Sequence, residues 1–173
     1  MDFRSTKVIA MTVDMAFCSA RDDLLLLQGF LPDVGLIEPI EQRTMAGVVE
    51  RRDRWHAAVA PMVIAGRSFS KAIWVVTSCW DAAEKIIHWQ VDVEQPVAAA
   101  RCYGRIAMRP MNNRAAVNLE GHVKVYPKAV GFRFGPMIPG VRAIAERLLV
   151  SLIERNLSAL MQAVESRQPR AVA

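Results

Sequence analysis

The chain is short of cysteine. Cys18, Cys79 and Cys102 leave one thiol over after any pairing and contain no CxxC spacing, which speaks against a disulfide scaffold and against a thiolate zinc site. Long apolar runs are also missing: no stretch approaches the ~18 residues that a bilayer-spanning helix needs, so stable membrane insertion is not expected. No GxSxG, P-loop or GxGxxG pattern occurs, which leaves esterase, nucleotide-hydrolysing and dinucleotide-binding readings without support. His56, His88 and His122 form no ligand-spaced pair, and neither a metal nor another cofactor is expected. The charge, 22 basic against 17 acidic residues, is only moderately positive. The basic residues are scattered without aromatic interleaving, as on a solvated surface rather than a nucleic-acid interface.

Arg4 and Lys7 precede a fairly apolar stretch ending at Cys18-Ser19-Ala20, loosely like a secretory leader. Asp14 breaks that stretch, and its alternation suits a strand better. With three reduced thiols, a cytoplasmic location is the simplest expectation.

What the chain does have is apolar bulk. A hydrophobic fraction of 53% in 173 residues suffices for one ordinary domain with surface left over for a cavity. We expect one domain over residues 1–168 and a short tail at 169–173. Residues 4–15 alternate, with Ile9, Met11, Val13 and Met15 on one face, which predicts a first strand. Ser19 to Phe30 reads as a helix capped by Ser19, favoured by Asp22 and Asp23 near its start and stopped by Gly29 and Pro32. Strands follow at about 36–45, 47–59, 73–80, 86–93, 100–109 and 115–126. Ala60 to Ser70, with Pro61 and Gly66, is too long for a tight hairpin and reads as a linker or flap over the sheet edge. Near the C-terminus Val141, Ile144, Leu148, Leu149, Leu152, Ile153, Leu157, Leu160 and Val164 recur at intervals of three and four. They predict one apolar stripe on a long helix between Pro139-Gly140 and Pro169.

Two hairpins can be registered. Pairing around the turn Ala82 to Lys85 sets Trp80 opposite Ile87, Ser78 opposite Trp89, Val76 opposite Val91 and Trp74 opposite Val93. The other face pairs Cys79 with His88, Thr77 with Gln90 and Val75 with Asp92, and reads as the wet side. The second hairpin turns at Pro110 to Arg114, where Asn112-Asn113 tolerate positive φ. Arg105 then meets Glu120, Tyr103 meets His122 and Ala107 meets Asn118, leaving Cys102, Gly104, Ile106, Met108, Val117, Leu119, Gly121 and Val123 inward. That inner face mixes tryptophans with glycines and fits either a packed core or a ligand cavity.

The order strand, helix, six strands, long C-terminal helix resembles the helix-grip architecture of the START and Bet v 1-like (SRPBCC) superfamily, which includes bacterial polyketide cyclase/dehydrase-like proteins. Local support comes from Asp53-Arg54-Trp55-His56, from Cys79-Trp80-Asp81 followed by His88-Trp89, and from Ile138-Pro139-Gly140 before Leu152-Ile153-Glu154-Arg155-Asn156-Leu157. The resemblance covers essentially the whole chain. It implies an α+β fold, an antiparallel seven-stranded curved sheet wrapped around the C-terminal helix. It also implies a cavity used by different members to carry lipids, sterols, hormones or polyketides, and by a minority to catalyse cyclisation or dehydration.

On this reading Trp55, Trp74, Trp80, Trp89, Ile106, Met108, Leu119, Leu149, Leu152, Ile153 and Asn156 form the cavity wall. Asp53, Ser78 and Asn156 are the weak candidates for moving protons, with Asp53 expected at or near the cavity, its mouth being one placement. Asn156 and Ser78 either bond to core neighbours or offer hydrogen bonds to a ligand. If Trp55 points inward, His56 points out. The segment Gly131 to Gly135 reads as a hinged loop with Phe132 or Phe134 as a lid. The leading expectation is a carrier of a hydrophobic small molecule or lipid, compatible with homo-oligomerisation. A polyketide cyclase or dehydratase is the alternative, and an interaction module without ligand, meeting a partner or a membrane surface, is the third reading.

Overall fold

The first strand, β1 (Asp2–Ile9), alternates exposed and inward residues and ends on the buried Ile9. It stops there because the next residues start a helix. Thr12 has extended backbone angles, φ −68° and ψ 156°, and its hydroxyl accepts the Met15 N–H at 3.4 Å, the geometry of an N-cap. Helix α1 (Val13–Asp22) follows, with Ala16, Phe17 and Ala20 buried. The expected strand through Met15 and the expected Ser19 cap are therefore both corrected. Ser19 lies inside α1, where its hydroxyl donates to the Asp23 carboxylate at 2.9 Å. The short helix α2 (Leu24–Leu27) and a 3-10 turn (Gln28–Phe30) complete the connection.

The computed structural model describes residues 1–58, 62–64, 67–69, 73–93, 100–126 and 140–167. Within them β2 (Val34–Met45), β3 (Val48–Ala57), β6 (Ile73–Asp81), β7 (Ile86–Val93), β8 (Ala100–Met111) and β9 (Arg114–Val125) join β1 in an antiparallel seven-stranded sheet. Its order is β1-β9-β8-β7-β6-β3-β2. Both hairpins have the register expected from their turns: Ser78 faces Trp89 and Trp80 faces Ile87, while Arg105 faces Glu120 and Tyr103 faces His122. Asn112 and Asn113 adopt φ of 46° and 63°, so two side chains that tolerate left-handed backbone fix the β8–β9 turn. The segment expected as an irregular linker holds a small hairpin of its own, β4 (Met62–Ile64) and β5 (Arg67–Phe69), with Met62 opposite Phe69. Val75, expected on the wet side, is buried, on a central strand between Arg54 and Asp92 of its neighbours.

Helix α3 (Val141–Ser166) lies across the concave face. Its C-terminal half carries Met161, Ala163 and Val164 into a core with Ile9, Phe17, Trp80, Ile87, Met108 and Val117. Phe17 meets Trp80 edge-on at 5.7 Å between ring centroids. A second cluster of Leu24, Leu31, Val34 and Ile37 packs under Trp55, Trp74 and Leu160. The N-terminal half is packed differently. Ile144 and Leu148, expected in the inward stripe, are 59% and 60% exposed, while Leu149, Leu152, Ile153 and Leu157 of the same expected stripe are half-buried. The Pro169 stop, the 169–173 tail and the Phe132/Phe134 loop lie outside the described residues.

Candidate functional site

Strands β3, β6, β7 and β8 place alternate side chains on the concave face. Register sets Trp55 beside Trp74, Val76 beside Val91, and Trp89 between Ser78 and Gly104. Trp55, Trp74, Val76, Trp89 and Val91 are only half-buried, and so are Leu149, Leu152 and Ile153 on the opposing stretch of α3. A sheet face and a helix stripe that meet elsewhere in a closed core leave apolar surface uncovered here. The region lies toward the sheet end where β3 and β9 finish and α3 begins; the other end is sealed by α1.

Not every expected wall residue reaches this region. Trp80, Met108 and Leu119 are 5%, 2% and 1% exposed and belong to the closed core, and Ile106, between Ile87 and Leu119 on the neighbouring strands, packs against that core as well. The Trp80 indole N–H is satisfied by the Ser78 hydroxyl at 2.8 Å. Trp89 lies over the cross-strand pair Gly104 and Gly121, with its Cζ2 atom 2.8 Å from where a Gly104 Cβ would stand. Phe3 fills the space beside it, with ring centroids 6.4 Å apart. The glycines that left space open in the sequence are thus a floor already occupied by two aromatic rings. Among the described residues, the indole N–H groups of Trp55 and Trp89 are buried without a hydrogen-bond partner.

The polar residues of the inner face are largely committed. Asp53 is 1% exposed, on the Trp55 face of β3, with Arg51 Nη2 at 3.1 Å from its Oδ1. Arg51 also donates to the Arg21 carbonyl at 3.0 Å and so holds the C-terminal end of α1. Ser78 accepts from Trp80 and is buried. Asn156 donates to Asp33 Oδ2 and to the Leu152 carbonyl, each at 2.8 Å, and accepts the Asp33 N–H at 3.3 Å. Arg155 forms a two-point ion pair with the same Asp33. His56 points outward onto Glu38 at 2.9 Å. Cys102 faces inward, and burial pushes its thiol up to about 11.

Arg51, Asp33 and Lys7 were not singled out in the sequence. Arg51 could have been found, since it stands two residues from Asp53 on the Trp55 face. Asp33 could not, because its partners Arg155 and Asn156 are more than 120 positions away. Lys7 likewise reaches across to α3, donating to the Ser158 hydroxyl at 2.7 Å. Among the described residues no group of three or more His, Cys, Asp or Glu side chains gathers as a metal site, and no helix is long and apolar enough to cross a membrane.

No protein-family model matches the sequence, and no curated protein does either. Solved structures do match in shape. The protein TTHA0849 from Thermus thermophilus superposes with a TM-score of 0.65 at 20% identity, covering 96% of each chain. The Zhui aromatase/cyclase from Streptomyces gives a TM-score of 0.64 at 18% identity, over 96% of this chain and 92% of that one. A STAR-related lipid transfer protein fragment from Xanthomonas axonopodis gives 0.56 at 19% identity, over 94% and 85%. The seven-stranded sheet closed by a long C-terminal helix, together with these superpositions, gives the chain a helix-grip fold.

Proposed function

We propose that the chain binds or carries a mostly apolar small molecule or lipid between the concave sheet face and the N-terminal half of α3. The observation that carries this reading is the half-buried apolar wall, opposed across sheet and helix. Hiding such surface from water favours binding by ~25 cal/mol for each Å² covered. Trp55, Trp74, Trp89, Leu149, Leu152 and Ile153 serve as wall residues, with Val76 and Val91 added to the set read from the sequence. On the same reading residues 1–168 act as one domain. A ligand oxygen that reached the Trp55 or Trp89 N–H on binding would recover part of the ~1–3 kcal/mol that an unpaired buried donor costs, which favours an oxygen-bearing ligand over a plain hydrocarbon.

Catalysis of a cyclisation or dehydration is the second reading, favoured by the shape likeness to an aromatase/cyclase. Its support among the residues is weaker, since Asp53 is held by Arg51 and Asn156 by Asp33. The test is to extract natively purified protein with organic solvent, identify bound molecules by mass spectrometry, and titrate with anilinonaphthalene sulfonate as an apolar probe. Val91→Trp, which fills the wall without adding charge, is expected to weaken the probe by at least about tenfold. Unchanged probe affinity in a folded Val91→Trp variant would overturn the placement of the site.

A further inference from the structure

The end of the sheet that α1 seals carries a second recess, outside the chamber. It lies where the C-terminal end of α1 meets β2 and β3 near their connecting turn, and its volume of about 470 Å³ is in the range of small-molecule sites. Register explains its lining: Gln42 stands opposite Arg51 and Thr44 opposite Val49, so all four share one face, beside Arg21 and Asp22 of α1. Arg51 is 7% exposed, yet it uses only two of the five N–H donors of a guanidinium, on the Arg21 carbonyl and on Asp53. Its other donors have no partner among the described residues. Arg21 turns Nε and Nη2 to the Asp22 carboxylate at 2.7 and 2.9 Å, which leaves its Nη1 over. Those bonds, with the charge of Arg51 as a smaller contribution, hold the Asp22 carboxyl below the usual 3.8, so it is ionised at neutral pH. Its side chain is 58% exposed, and each oxygen keeps a second lone pair. Gln42 and Thr44 make no side-chain hydrogen bond among the described residues.

One space therefore holds spare guanidinium donors, an ionised carboxylate, and an unpartnered amide and hydroxyl. A lone anion there meets the repulsion of Asp22, and a lone cation that of two arginines. A small molecule carrying both charges meets complementary groups on each side. We propose that the recess binds a free α-amino acid as its zwitterion. The ligand carboxylate takes the spare N–H groups of Arg51 and Arg21, and its ammonium donates to the Asp22 carboxylate. Val49 and Ala82 supply an apolar patch for the ligand's carbon atoms, and Gln42 and Thr44 border its side chain. The recess is lined by none of the chamber wall residues and does not depend on the chamber reading.

The test is isothermal titration of the full chain with L-alanine, L-serine and L-glutamine. Two controls each lack one charge: L-lactate has a hydroxyl in place of the ammonium, and L-alaninol a hydroxymethyl in place of the carboxylate. At least one amino acid is expected to bind with a Kd on the order of 0.1–1 mM, and both controls at least about tenfold more weakly than L-alanine. Asp22→Asn changes an exposed side chain and should keep the native circular dichroism while weakening the amino acid at least about tenfold. Thr44→Trp, which fills the recess from its exposed rim, should abolish binding. No binding of any of the three amino acids up to about 10 mM overturns the proposal. So does L-lactate binding as tightly as L-alanine, which would make the recess a plain anion site, and so does an unchanged affinity in folded Asp22→Asn or Thr44→Trp. Val91→Trp, which fills the chamber, should leave amino-acid binding as in the wild type, so either conclusion can fail alone.

Discussion

Gly104 shows how one missing side chain shapes the inner face. A Cβ there would overlap the Glu120 carbonyl oxygen and stand 2.7 Å from Gly121 Cα, and neither backbone atom can swing away. The Trp89 ring at 2.8 Å would have to lift as well. Gly104→Ala should therefore destabilise the chain by about 1–3 kcal/mol through overpacking, seen as a lower midpoint in thermal unfolding and a changed tryptophan emission. A midpoint equal to the wild type would mean that the floor is looser than these distances state. The requirement could not be read from sequence, where a glycine on an apolar face looks like open space.

At the scale of elements, two contacts fix α3 along its length. Near its middle, Asn156 and Arg155 clip the helix to Asp33, just before β2. Asn156→Ala removes the side-chain bonds to Asp33 and Leu152 and should cost about 1–3 kcal/mol, lowering the melting temperature by several degrees. Near its start, Glu146 is buried against the sheet. Burial pushes its carboxyl up, but the Arg142 hydrogen bond and the Val125 N–H outweigh this and leave it below the ordinary 4.5. A carboxyl held low stabilises the fold above its unfolded pKa, and that contribution is lost as pH falls through the lower folded value. The stability gap between wild type and Glu146→Gln, followed by urea unfolding, should thus be largest near neutrality and close below about pH 4. A gap that stayed constant with pH would assign Glu146 a packing role only. The same scale explains the error at the N-terminus: the alternation of Ile9, Met11, Val13 and Met15 fits a strand, but Thr12 caps a helix whose buried residues Ala16, Phe17 and Ala20 repeat at helical spacing.

For the whole molecule, the sheet stays open at two edges, β1 and β2. The longer edge, β2, is blunted by Pro39, by register shifts at Val34/Leu36 and Pro39/Glu41, and by Glu38, Glu41 and Arg43. The concave face can therefore curl around α3 at one end and stay uncovered at the other. A ligand held there stabilises the native state by mass action, so the apolar probe should raise the melting temperature of the wild type and leave Val91→Trp nearly unchanged. An equal rise in both would place the probe elsewhere. By itself the sequence determined the seven long strands along the chain, both hairpin registers, the long helix and the outward His56, because two-residue and helical periods and left-handed turn residues act over a few positions. Only the tertiary structure decided that Asp53 is buried against Arg51, that Asn156 is tied to Asp33, that Trp80, Met108 and Leu119 are sealed in the core, and that Ile144 and Leu148 face outward. Each of these depends on contacts between distant segments or on how far the helix is rotated against the sheet. A rotation of a fraction of a turn changes which apolar residues are hidden while leaving the sequence pattern the same.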